Sequence, residues 1–208
     1  MGFGFTDWLE EKPEEDLVEE PENKPSKRRS TALTTRVKNT IYRRAFSETQ
    51  LLDISPKTFE DGMTVNYLTA GDVDALSFLK LMIRQQDIDH CLFSTWCMAG
   101  DDVLQLEEWL ESGKIKTLDA YVGEIFPSSY RHEYARLKEI IPRHGGRMAV
   151  FRNHSKTFAG IGPKFAFGIQ TSANINTNPR AENGSITISH EIYEFYRSYY
   201  SGIKSIVK

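Results

Sequence analysis

Apolar positions change their spacing along the chain, and each spacing predicts an element. Ala75, Phe78, Leu79, Met82 and Ile83 recur at intervals of three and four, which predicts a helix with one buried face, capped by Asp72. Residues 88–96 form a short apolar run fit for a buried strand. A second helix opens at Asp101 or Asp102, turns Leu104, Leu106, Trp109 and Leu110 inward, and ends before Gly113. Residues 115–122 alternate as a strand, and residues 127–141 read as a third helix that stops before Pro142. Short strands follow at 147–152, 155–159 and 164–170, with glycine-rich connections. Residues 186–189 make a last strand and residues 190–201 an aromatic-rich terminal helix. Helices and strands alternate first and strands run together later, which predicts an α/β fold: a mixed β-sheet with helices on both faces.

Composition bounds this picture. With 208 residues, 39% hydrophobic and 26% charged, the chain suits one domain and a tail and is not wholly disordered. No stretch approaches the roughly 18 apolar residues of a membrane span, so no membrane partner is expected. The first twenty residues lack a basic start and a long apolar run, so no secretory signal is read there and a cytoplasmic location is expected. Cys91 and Cys97 lie in one apolar run and read as reduced core thiols, with too few ligands for zinc.

Net charge is only −3, but its distribution is uneven. Residues 7–22 are acidic, opposed only by Lys12, whereas residues 24–44 are basic with no acid among them. Such segments bury too little apolar surface to offset the entropy of ordering them, so residues 1–46 are expected to be a mobile, disordered arm before a domain at 47–208, ordered from about Leu51. Lys27, Arg28, Arg29, Arg36, Lys38, Arg43 and Arg44 are candidate contacts to nucleic-acid phosphates, each releasing a counterion. Two other readings stand beside this one: the acidic block folds back on the basic block, or the arm is a solvated, self-compensating tail. Phe3, Phe5 and Trp8 form a short aromatic motif ahead of the acids.

Candidate chemistry lies between Asn153 and Ser185. His154 and Lys156 are two residues apart, so in a strand they leave from one face. Lysine supplies fixed positive charge, and histidine can attack phosphorus or pass a proton near neutral pH. Strand, turn and strand then bring up Thr171, Ser172, Ala173 and Asn174, where small residues allow close approach and Ser172 and Asn174 offer donors to phosphate oxygens.

This stretch resembles the phospholipase D superfamily, whose signature is His-x-Lys, a further aspartate, and a Gly-Ser-x-Asn-like turn. The matching positions are His154, Lys156, Ser172 and Asn174; Asn183 falls where that family has another polar residue, and Arg180 is a looser match. The family aspartate would fall at Ile161, with no acid following until Glu182, and Thr171 stands in place of the glycine. The resemblance implies a phospholipase D-like fold from about Val65 to His190. It also implies metal-independent hydrolysis of phosphodiesters with no cofactor: one histidine forms a phosphohistidine, and a second protonates the leaving oxygen. His154, Lys156 and Asn174 would be catalytic, and Ser172 and Asn183 would hold phosphate. With a single motif in the chain, a complete site implies a homodimer. Two function classes follow: a dimeric nuclease acting on nucleic acid, DNA foremost, or a degenerate relative that binds DNA or joins an assembly such as a phage or mobile-element particle. Lipid hydrolysis finds no amphipathic membrane-binding face in the arm.

Overall fold

A computed structural model of the chain describes residues 33–176 and 180–207. The acidic block, the aromatic motif and Lys27, Arg28 and Arg29 lie outside the described residues. In chain order the elements are β1 (Asn39–Ser47), α1 (Glu48–Ile54), β2 (Met63–Asp72), α2 (Ala75–Ile83), β3 (Ile88–Thr95), α3 (Gly100–Glu111), β4 (Ile115–Gly123) and α4 (Phe126–Ser129). They continue with α5 (Arg131–Arg143), β5 (Met148–Phe151), β6 (Thr157–Ile161), β7 (Ala166–Thr171), β8 (Glu182–Ile188) and α6 (His190–Ser201). All eight strands join one mixed sheet in the order β1-β2-β8-β7-β6-β3-β4-β5. The pairs β1–β2, β3–β4 and β4–β5 are parallel, and the others are antiparallel.

Helices cover both faces, as the hydrophobic pattern predicts. The larger core gathers Leu51 of α1, most of α2, Leu106 and Leu110 of α3, Phe126 of α4 and Leu137, Ile140 and Ile141 of α5. On the other face, Tyr193, Tyr196 and Tyr200 of α6 pack on Leu92, Tyr121, Ala149, Ala159 and Ala166. Strand β3 feeds both: Cys91 and Phe93 join the first core and Leu92 the second. A strand buried on both sides needs a continuous apolar run, which is what residues 91–93 supply.

Local chemistry sets the boundaries. Asp74, not Asp72, caps α2, accepting from the Ser77 amide at 2.9 Å, because β2 continues to Asp72. Ser189 caps α6 in the same way, through Ile192 at 3.4 Å. The expected third helix is two: α4 ends at Tyr130, whose backbone leaves the helical region before α5 begins. Helix α5 runs through Pro142 because a proline in the last turn forfeits one N–H only, and the Ile141 carbonyl is met by the amides of His144 and Gly146. Leu104 is 58% exposed, and Val103 takes the inward position expected of it.

The largest departure is at the start. Residues 39–47, expected in a mobile arm, form edge strand β1, so the boundary expected at Phe46 falls inside an element. Only Ala45 is buried along β1, and Arg43 and Arg44 interrupt any apolar alternation, so the strand is invisible to pattern. The opposite edge, β5, is covered by the residues after α6. The Ile206 amide donates to the Val150 carbonyl at 2.8 Å, the Val150 amide to Ser205 Oγ at 3.2 Å, and the Arg147 guanidinium to the Ile203 carbonyl at 2.6 Å. No described helix is long and apolar enough to cross a membrane.

Candidate functional site

His154 and Lys156 lie in the connection between β5 and β6, one residue short of the strand in which alternation would place them on one face. They meet nonetheless. Lys156 Nζ stands 3.1 Å from His154 Nδ1 and donates to the His154 carbonyl at 2.7 Å. Lys156 is only 8% exposed, while His154 is exposed and lies beside the Trp96 indole with ring centroids 5.3 Å apart. Burial holds the Lys156 ammonium below the ordinary lysine range, and the charges of Cys97 and Glu182 pull the other way. Burial also raises the Cys97 thiol, against opposing effects of a Tyr130 hydrogen bond and the Lys156 charge.

The connection is rigidly anchored by Asn153, a residue sequence reasoning passed over. Its buried amide donates to Ser94 Oγ at 2.8 Å and to the carbonyls of Thr95 and Tyr121, both at 3.2 Å. Its oxygen accepts from the Ser155 amide at 3.0 Å and hydroxyl at 2.6 Å. Ser155 Oγ and Thr157 Oγ1 in turn meet the Tyr200 hydroxyl at 2.8 and 2.9 Å, tying the segment to α6. A side chain wired to β3, β4 and its own loop fixes where the next residue, His154, begins. The sequence signal available was an asparagine directly before the His-x-Lys pair.

The second predicted element, residues 171–174, adjoins the first. The Thr171 amide donates to the Lys156 carbonyl at 3.2 Å. Ser172 is locked to Asn183: its amide donates to the Asn183 carbonyl at 2.9 Å, and its hydroxyl accepts from the Asn183 amide at 3.0 Å. The same hydroxyl donates to the Glu182 carboxylate. Glu182 therefore brings a carboxylate beside Ser172 and within electrostatic reach of Lys156, although it lies far along the chain from Ile161. Ile161 itself ends β6 and packs against the α6-side core. Asn174 is held by the amide of Ala75 at the start of α2, 3.1 Å from its carbonyl, and its side-chain oxygen is buried without a hydrogen-bond partner.

The predicted basic contacts do not gather around His154. Arg36 and Lys38 are exposed, and Lys38 meets exposed Asp61 at 3.4 Å. Arg43 turns to the α1 side, donating to the Ile54 carbonyl at 3.1 Å, whereas its strand neighbour Arg44 points to the opposite face. Arg180 is exposed.

No family model matches the chain, and no characterised protein matches it in sequence. Solved structures of similar shape exist. A polyphosphate kinase from Porphyromonas gingivalis matches over 69% of this chain and 27% of its own, at 16% identity and a TM-score of 0.48. A phosphatidylserine synthase from Haemophilus influenzae matches over 66% and 37%, at 13% identity and a TM-score of 0.49. TrmBL2, an archaeal chromatin protein described as showing a novel mode of DNA binding, matches over 74% and 55%, at 9% identity and a TM-score of 0.46. The chain thus spans between about a quarter and just over half of the structures it resembles.

Proposed function

We propose that the chain is a phosphodiester-site protein of phospholipase D-like design, hydrolysing nucleic-acid phosphodiesters through His154 in a homodimer. The observation that carries this reading is the pairing of a nearly buried ammonium with an accessible imidazole, Lys156 Nζ 3.1 Å from His154 Nδ1, beside the turn of Ser172. An ammonium freed from that contact can hold a phosphate, and an imidazole beside it can attack phosphorus.

Proton placement decides which role the ring plays. A protonated Lys156 donating to Nδ1 leaves the ring proton on Nε2, the tautomer that donates rather than attacks. A phosphate oxygen that draws Lys156 away releases Nδ1 to carry the proton and exposes the Nε2 lone pair. In the proposed cycle, Nε2 of one His154 forms a bond to phosphorus as the bond to the leaving oxygen breaks. That oxygen takes a proton from His154 of the partner subunit. Water then attacks the phosphohistidine, returning its proton to the partner's His154 and releasing the phosphomonoester and the first imidazole. Ser172, Asn174 and Asn183 are the proposed phosphate-binding partners of Lys156.

The test uses the full chain with plasmid and single-stranded DNA in EDTA, and with bis(4-nitrophenyl) phosphate as a minimal diester. His154→Ala is expected to remove cleavage by about 10³-fold or more. Lys156→Ala is expected to lower it by about 10²–10³. Sedimentation is expected to report a dimer. Binding without cleavage, insensitive to His154→Ala, would instead make the chain a non-hydrolytic binder.

A further inference from the structure

The face of β1, β2 and β8 on the α6 side is left open among the described residues, since the tyrosines of α6 cover the sheet from β7 toward β5. The strand registers align side chains across it. Tyr42, Asn66, Ser185 and Gln170 form one rung over β1, β2, β8 and β7. Arg44, Leu68 and Asn183 form the next, which ends on Ser172 through the 2.9 Å bond from its amide to the Asn183 carbonyl. These rungs floor a cavity of about 790 Å³, and its lining includes Arg43 and Arg44 but no acid. At the usual strand spacing a rung is about 14 Å long. Thus Arg44, at the open edge, lies in line with Ser172, the residue shared with the candidate phosphate site.

We infer that this groove holds a single nucleic-acid strand and leads it to the site around His154, an inference that rests on the phosphodiesterase reading above. Charge complementarity selects a polyanion at the open edge, where Arg44 is the cation on this face; Arg43 turns to the α1 side, and the Glu182 carboxylate stands on Ser172 at the inner end. Tyr42 selects an unpaired strand: its ring is 75% exposed and offers a stacking platform to a base whose face is not already covered. The amides of Asn66 and Asn183 and the hydroxyl of Ser185 present donors and acceptors suited to base edges, while the Gln170 amide donates to the Tyr196 hydroxyl at the covered end. The polar rungs choose no base in particular, so the strand is held with little sequence preference.

The experiment measures binding of fluorescein-labelled oligothymidylate to the full-length protein in EDTA by anisotropy, with a duplex of equal length as control. Tyr42→Ala is expected to weaken the single-strand complex about tenfold, with Tyr42→Phe restoring it. Arg44→Ala is expected to lower the salt slope by about one. Unchanged binding in both alanine variants, or equal loss for duplex and single strand, overturns the groove. A dimer that Tyr42→Ala dissociates also overturns it, making the face a contact between copies. Hydrolysis of bis(4-nitrophenyl) phosphate by the unmodified protein is scored separately: its absence removes the phosphodiesterase reading while leaving the binding result to stand or fall alone.

Discussion

Strands β3 and β6 are buried on both faces, whereas β8 alternates buried and half-exposed residues and β1 buries Ala45 alone. The two ends of one sheet therefore obey different rules. Toward β5 the sheet is an interior wall, held from both sides, and the segment bearing His154 and Lys156 is bolted onto that wall through Asn153. Toward β1 it is half surface, with amides, hydroxyls and one tyrosine where the other end has leucine and alanine. On the proposed reading, the rigid end positions His154 and Lys156 and the one-sided end takes the strand.

Substitutions should separate the two ends, the largest effect coming from the wall. Phe158, fully buried against Phe93 with ring centroids 6.1 Å apart, should cost about 3–5 kcal/mol as Phe158→Ala, read from urea unfolding. Asn153→Ala should cost about 2–3 kcal/mol, since it strands partners on Ser94, Thr95 and Tyr121, and cleavage should fall with it. If Asn153→Ala lowers stability yet leaves cleavage intact, the anchoring role is wrong.

The covered face also holds a charge cost. Burial, with Asp74, Asp101 and Glu48 nearby, pushes the Asp102 carboxyl up to about 7. The folded state therefore keeps a proton there that the unfolded chain sheds near pH 4, so stability declines as pH rises from about 4 to 7. Asp102→Asn should remove that decline, a difference of about 1–2 kcal/mol at pH 8 after solvent screening, visible as a flatter dependence of the melting midpoint on pH. The smallest effect belongs to the open end: Tyr42→Ala should alter stability by less than about 0.5 kcal/mol. A large loss there would mean that the face is part of a core.

The same contrast explains what the sequence made legible. Helix α6 was readable to its ends, because Ser189 caps it and its tyrosines recur along one face; β3 was readable because a wall strand needs an unbroken apolar run. Strand β1 was not, since an edge strand with two arginines carries a basic tail's pattern; β2 was missed although Met63, Val65 and Tyr67 alternate inward, because Leu68 breaks the pattern on the open face. Strand β8 was read only from Ile186 onward, because Asn183 and Ser185 face the open side. At the site, the meeting of His154 and Lys156 was foreseeable, though a loop and not a strand brings it about. Glu182 and Tyr200 were not, because strand pairing and helix docking bring them in from distant parts of the chain.

The cover over β5 has a practical consequence. Ser205 and Ile206 occupy backbone groups that would otherwise form an unpaired ladder, and Arg147 clips the segment down. Trimming the chain after α6 would strip that seal and offer a neighbouring molecule a ready template for adding its own strand. Shortened versions of this protein would thus gain stickiness in solution.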